Sequence, residues 1–418
     1  MPTRVRVWVD ATQPHCDLLV FGMSLLERQL RGLLQAGVNA SDVCVELPAG
    51  AAAPPPLPAD LLDALALRWR SDGLSLDARL QRALDEADGD PVLAVAADTV
   101  IDSRLLSHLL RVKGSVAFIG GEGGERGAVL RLEQGLPRFE QSPGDLLAIA
   151  QGALGAGVAK PFSQGDFDGY IYGLRRQLPA YLFRIDGPDT RDRIERWLFW
   201  SNYKGSTDFM TKYAYPPAVW LLVRPLARWR VHPNWVTAVD IAAAVAAIPF
   251  FMLGQWVPGL VLAYLMSVLD SVDGKLARLT YTASKLGDYL DHGLDILHPP
   301  FWYMAWAWGL TGGDTSSGLF QASLWLLGIY VLDRLLVPVF RWRTQRSIHA
   351  FTPFDVKMRT FISRRNVNLV LFTVALAVDA IVGGWTLAGL ALYFVVLWQA
   401  ASFLFHAERV VRFWNARG

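Results

Sequence analysis

Between Leu269 and Asp295 the chain reads LDSVDGKLARLTYTASKLGDYLDHGLD, which puts four carboxylates, Asp270, Asp273, Asp291 and Asp295, into segments otherwise apolar enough for a bilayer. Ionisable groups at membrane depth are costly and mark functional sites. Asp270 and Asp273 are three apart and Asp291 and Asp295 four apart, so each pair shares one face of a helix. Two such faces meeting would make an oxygen-rich cage suited to hard divalent cations. Gly274 and Gly287 remove side chains beside the acids, where a ligand must come close, and Arg278 adds a fixed cation suited to phosphate. The set reads as a metal-assisted phosphoryl-transfer site. The other reading of the acids, as capping or snorkelling groups in an ordinary bundle, leaves the paired glycines unexplained.

The spacing D-x-x-D-G-x-x-A-R, eight residues, then G-x-x-x-D-x-x-x-D resembles the signature of the CDP-alcohol phosphotransferases. Asp270, Asp273, Gly274, Ala277, Arg278, Gly287, Asp291 and Asp295 match it throughout. The resemblance implies two divalent cations, Mg2+ or Mn2+, held by Asp270, Asp273, Asp291 and Asp295. Asp295 is the position assigned to the base that takes the acceptor's proton. It also implies nucleotide contacts at Gly274, Ala277, Arg278 and Gly287. Pro233, Asn234 and Thr237 in HPNWVT are similar to the family's Pro-Asn-x-x-Thr element beside the nucleotide; a Pro-Asn pair is also an ordinary helix start with Asn as N-cap. Asp291-His292-Gly293 before Asp295 resembles the element of choline and ethanolamine phosphotransferases, so His292 is a candidate to assist proton transfer or to hydrogen-bond the acids. Lys204 and Asp208 lie where relatives carry a short basic element. Arg334, Arg341 and Arg364, with Arg343 and Arg365 nearby, are candidates to hold an acceptor's phosphate, although a positive-inside bias also predicts cations there.

These residues need helices to position them. With 418 residues, 52% of them hydrophobic, the chain is long enough for two domains and too apolar to be wholly soluble. Six spans are expected near 234–253, 257–278, 286–311, 318–341, 366–383 and 386–408. The gaps 254–259, 311–318 and 382–386 contain no Lys or Arg, whereas the alternate gaps and the C-terminus collect them. That asymmetry predicts cytoplasmic termini and an active site opening at the cytoplasmic surface. Residues 233–418 are therefore expected to form an all-α six-helix transmembrane domain.

Residues 1–185 read differently. Apolar runs at 5–10, 42–47, 92–97 and 115–120 alternate with helical patterns at 24–37 and 102–112, predicting a soluble α/β, Rossmann-like domain with a mostly parallel sheet. This part resembles a nucleotidyltransferase of the sugar-nucleotide pyrophosphorylase type. It departs from that family where DATQPHCDLLVFG lacks the glycine-rich, Arg-bearing loop, so a degenerate, ligand-binding or structural role is expected; Asp98 matches the metal-binding aspartate of that family or caps a turn. MPTRVRVWVDATQ reads as a strand and turn rather than a signal peptide, and Cys16 and Cys44 read as reduced and structural. Residues 186–232 mix basic and aromatic side chains in the manner of an interfacial amphipathic linker.

The expected activity is transfer of the phosphatidyl group from CDP-diacylglycerol to a polar alcohol with release of CMP. A second scheme has a soluble CDP-inositol or CDP-ethanolamine type donor and a lipid or inositol phosphate acceptor. A different class, a non-enzymatic cation transporter, would not require Arg278 or the paired glycines. The expected partners are the CDP-linked donor, a polar or lipid alcohol, membrane lipid and a second copy of the chain. No nucleic acid is expected among the partners, and the net charge of +2 itself says little about them.

Overall fold

The computed structural model describes residues 4–38, 42–133, 135–283 and 285–414, with the side chains of 166, 285–292, 294 and 295 outside the description. The chain divides into two compact units. One is Met1–Tyr170 with Gln177–Ser201, and the other is Ile171–Arg176 with Asn202–Gly418.

The first unit is built on a seven-stranded sheet. From one edge to the other its strands are Lys160–Pro161, Val116–Gly120, Gly127–Leu132, Val92–Ala96, Arg6–Asp10, Val43–Leu47 and Arg68–Ser71. Arg6–Asp10 runs parallel to both neighbours, Val43–Leu47 and Val92–Ala96, and only Gly127–Leu132 runs against the strands beside it. Successive side chains serve opposite faces. Val7 and Val9 pack with Leu26, Leu30 and Leu105 on one side, while Trp8 packs with Leu80, Leu146 and Ile149 on the other. Helices thus cover both faces, as runs apolar at every position require. Ser24 caps the helix Leu25–Ala36 by accepting from Glu27 N, and Gly37, at φ +94°, ends it in the left-handed conformation glycine favours. Cys16 and Cys44 are free thiols, and burial, with Asp98 and Asp10 nearby, pushes the Cys16 thiol up and keeps it protonated.

The second unit is helical. Five stretches are long and apolar enough to cross a membrane: Pro233–Met252, Trp256–Leu279, Gly318–Thr344, Pro353–Val382 and Thr386–Arg412. A further long helix, Lys285–Thr311, stands where the third span is expected. Pro353–Val382 is two helices, Pro353–Phe361 and Arg365–Val382. Alanines let the first helix approach closely: Ala243, Ala244 and Ala247 pack against Trp302 and Trp306, whose indole N–H groups donate to Ala244 O and Ala388 O. A Cβ at Gly309 would lie 2.0 Å from Phe251 O, so only glycine permits that crossing. Large apolar side chains face outward, including Trp325, Leu397 and Ile381. An apolar exterior over apolar cores is the arrangement of a membrane protein, and the unit is read as integral to a bilayer.

The candidate active site

Asp270 and Asp273 lie one turn apart near the end of the helix Trp256–Leu279, as their spacing requires. Asp273 is 3% exposed. Its Oδ2 accepts from Thr237 Oγ1 at 2.6 Å and its Oδ1 from Gly274 N at 2.6 Å. A buried carboxylate needs such donors to stay ionised. Thr237, expected beside the nucleotide, therefore touches an acid as well. Asn234 is the second residue of its helix and not the cap: His232 is the cap, its Nδ1 accepting from Asn234 N at 3.2 Å. Gly274 also serves its own helix, because a Cβ there would come within 3.3 Å of an Arg278 guanidinium nitrogen. Ala277 is half-buried beside Arg278.

Sequence reasoning did not single out Lys275, which is 4% exposed with its Nζ 3.2 Å above the ring centroid of Tyr203. The charges of Arg278, Lys204 and Asp270 act on it. Lys204, Lys275 and Arg278 thus gather cations beside Asp270, an arrangement suited to a diphosphate. Burial pushes the Tyr203 phenol up, so it stays neutral under the ammonium.

Arg365 joins three elements. It donates from Nη2 to Asp270 Oδ2 at 3.1 Å, meets His298 Nε2 at 3.0 Å through Nη1, and donates from Nε to Asn366 Oδ1 at 3.3 Å. Asn366 donates to both oxygens of Asp208 and to Thr211 Oγ1. Asp208 in turn accepts from Thr211 N and Thr211 Oγ1 at the start of the π-helix Met210–Ala214. His298 follows Asp295 by three positions, and this face could have been extended from the aspartate spacing alone. Asp240, one turn beyond Thr237 and 4% exposed, is another acid in an apolar span that merited the same attention. Asp379 has a structural explanation: it accepts from Leu387 N and Ala388 N at the start of the last helix.

The helix Lys285–Thr311 carries Gly287, Asp291, His292 and Asp295, whose side chains lie outside the described residues. Among the described residues no group of three or more His, Cys, Asp and Glu side chains stands ready for a metal. The described part of the donor set, Asp270 and Asp273, consists of carboxylates and fits a hard, oxygen-preferring cation. Arg334 lies with its guanidinium carbon 4.7 Å from the Tyr330 ring centroid, and Arg364 N-caps the helix Arg365–Val382. Arg341 is exposed near the end of Gly318–Thr344.

A helical unit able to cross a bilayer, with acids, a buried lysine and several arginines converging at one end, defines an integral-membrane domain equipped for anionic phosphate substrates. Residues 230–405 match the model of the CDP-alcohol phosphatidyltransferase family. Similar proteins include the archaetidylinositol phosphate synthase of Aeropyrum pernix, 33% identical over 28% of this chain and 54% of that protein. The bifunctional IPC transferase and DIPP synthase of Thermococcus kodakarensis is 28% identical over 31% of this chain and 33% of its own length. The chain thus spans about half of the first relative and a third of the second. A crystal structure of the phosphatidylinositol phosphate synthase of Mycobacterium tuberculosis with CDP-DAG bound aligns with 49% of this chain and 96% of that one at 18% identity, with a TM-score of 0.38.

Proposed function

We propose that the protein transfers the phosphatidyl group of CDP-diacylglycerol to a polar alcohol, releasing CMP, in a divalent-metal-dependent step of phospholipid synthesis. The observation that carries this reading is the meeting of Asp270 and Asp273 with Thr237, Arg278, Lys275 and Arg365 at one end of the apolar helices. Asp270, Asp273, Asp291 and Asp295 would hold Mg2+ or Mn2+, two per site, which when bound supplies positive charge to the diphosphate and to the leaving CMP. Arg278, with Lys275 and Lys204 behind it, attracts and orients the diphosphate, while Gly274, Ala277, Gly287, Asn234 and Thr237 line the approach of the nucleotide. Asp295 takes the proton of the acceptor hydroxyl as that oxygen attacks the β-phosphorus and CMP leaves, and His292 would assist that proton transfer. Arg334 and Arg364, with Arg341 at the rim, draw an anionic acceptor toward the site. The Lys and Arg asymmetry of the gaps supports a cytoplasmic opening, and the apolar outward faces support a homodimer in the bilayer.

The test is Mn2+- or Mg2+-dependent CMP release by the detergent-purified full chain, comparing CDP-diacylglycerol with soluble CDP-alcohols over a panel of acceptors. Release is expected from CDP-diacylglycerol, with Asp295→Asn inactive yet folded and able to bind the donor. Release only from a soluble CDP-alcohol would reverse the roles of lipid and headgroup, and no release from either would refute the transfer.

A further inference from the structure

Residues 203–208 precede the stretch that matches the family model, yet they touch the site from both ends. At one end the Lys275 ammonium lies over the Tyr203 ring. At the other, Asp208 meets Asn366, Asn366 meets Arg365, and Arg365 meets Asp270. The backbone between the two ends is pinned by a strap from further upstream, Ile171–Arg176, which belongs to the helical unit. Gly205 N donates to Leu174 O at 2.7 Å, Arg176 Nη1 to Tyr203 O at 3.4 Å and Arg175 Nη1 to Ser206 O at 3.5 Å. Glycine permits the approach, since a Cβ at Gly205 would lie 2.7 Å from Arg175 O and 2.9 Å from Arg176 Cβ. Ser206 Oγ adds a bond to His349 O at 2.6 Å.

The bonds from Asp208 to Asp270 can run in only one direction. A carboxylate only accepts, and Asp208 takes Asn366 Nδ2 on both oxygens at 3.3 Å, Thr211 N on Oδ1 at 3.1 Å and Thr211 Oγ1 on Oδ2 at 2.9 Å. The NH2 end of the Asn366 amide is therefore turned to Asp208, which leaves its Oδ1 for Arg365. A guanidinium only donates, and Arg365 gives Nε to that Oδ1 at 3.3 Å and Nη2 to Asp270 Oδ2 at 3.1 Å, while Nη1 meets His298 Nε2 at 3.0 Å. With the amide reversed, its NH2 would oppose Arg365 Nε, donor against donor, and the guanidinium would lose one of the contacts that fix its plane. Asp208 and Asn366 are both buried, where such a mismatch is costly. Capping the turn after Asp208 needs Thr211 alone; the bond to Asn366, 158 positions away, does something further.

We propose that Asp208 is a positioning residue for the cation end of the site: it sets the direction of the Asn366 amide, which holds the Arg365 guanidinium in the plane that aims Asp270 at a divalent cation. That a cation binds at Asp270 rests on the transfer reading above; the direction of the hydrogen bonds does not. Partners of ligating groups raise metal affinity by holding the ligand in its bound orientation, and their removal weakens binding by about 10- to 100-fold. Asp208 acts through two intermediates, so the lower end of that range applies. Metal affinity at the aspartate motif is thereby set in part by a residue upstream of the stretch that carries the motif.

The test uses the detergent-purified full chain with Mn2+ alone as the probe, free Mn2+ being read from its EPR signal at a temperature where the variants are folded. Asp208→Asn should weaken Mn2+ binding by about tenfold. A side chain that only braces the fold would lower the thermal unfolding midpoint and leave Mn2+ affinity where it was. Should Asp208→Asn fail to fold, Asn366→Ala keeps Asp208 bonded to Thr211 and should weaken Mn2+ by a similar factor. The exchange variant, Asp208→Asn with Asn366→Asp, again pairs an amide donor with a carboxylate and keeps an acceptor facing Arg365, so Mn2+ affinity should return to within about threefold of the unsubstituted protein. In CMP release the Mn2+ activation constant should rise with the loss of affinity while the KM for CDP-diacylglycerol stays within about threefold. Unchanged Mn2+ affinity in Asp208→Asn or in Asn366→Ala, or an exchange variant as weak as Asp208→Asn, would overturn the proposal. Asp208-dependent Mn2+ binding without CMP release from any donor would refute the transfer and leave the positioning role standing. CMP release with Mn2+ affinity unmoved by these substitutions would refute the positioning role alone, and an unsubstituted chain that binds no Mn2+ would overturn both.

Discussion

Replacing Thr237 by valine keeps the side-chain volume and removes one hydroxyl. That hydroxyl donates to Asp273 Oδ2 at 2.6 Å, with both residues less than 5% exposed. A hydrogen bond to a charged group contributes about 1.5–3 kcal/mol, and the valine methyl would leave a carboxylate oxygen facing apolar atoms. If the bond aims Asp273 at a cation, that energy appears as a roughly 10- to 100-fold weaker metal dependence, the range seen when partners of ligating groups are removed. The assay is CMP release titrated with Mn2+ at saturating donor. Thr237→Val should raise the Mn2+ activation constant by that factor while the KM for CDP-diacylglycerol moves by less than about threefold, and Thr237→Ser should behave nearly as the parent. A raised donor KM with unchanged Mn2+ dependence would show that the hydroxyl serves the nucleotide directly and would refute the positioning argument.

Arg365→Gln removes the cation shared by Asp270 and His298; the side chains of Arg365 and Asp270 are 12% and 20% exposed. Allowing for that exposure, the loss should be about 1–3 kcal/mol in thermal unfolding, and the deficit should shrink when Mn2+ is added, since a bound cation would compensate Asp270; a deficit indifferent to Mn2+ would separate Arg365 from the metal site. Gly309→Ala should cost about 3 kcal/mol or more, because its Cβ would collide with Phe251 O, whereas Gly328→Ala, with nothing within 4 Å, should be neutral or stabilising; equal melting of the two would contradict the crossing geometry. In the α/β unit, burial pushes Asp98 up to about 6 despite Arg184 at 2.8 Å. The folded state then binds the proton more tightly than the unfolded state, so this group's contribution is greatest below about pH 4 and is lost as pH rises through about 6, by up to roughly 3 kcal/mol. Asp98→Asn should flatten that part of the pH profile, and an unchanged profile would assign the dependence to other groups.

The strands near 5–10, 42–47, 92–97 and 115–120 were legible because residues apolar on both faces and bounded by turns can satisfy their backbone only in a covered sheet. The long apolar helices were legible for a similar reason, since burial in lipid demands length and internal hydrogen bonding that local sequence supplies. The carboxylate pair at Asp270 and Asp273 followed from helical spacing alone. The partners of that pair did not. Asp270 and Arg365 are 95 positions apart, Thr237 and Asp273 are 36, and Arg175 and Ser206 are 31.

Composition, periodicity and motif spacing by themselves determined two architectures, the class of chemistry and the residues that carry its signature, because each of these depends on neighbours within a few helical turns. Only the tertiary structure decided that Arg365 holds Asp270, that Lys275 lies over the Tyr203 ring, and that a strap from upstream brings Arg175 to Ser206. Charge pairing and the closeness allowed by Gly205 act between elements distant in sequence, and no local pattern encodes which distant helix or turn will supply the counter-charge.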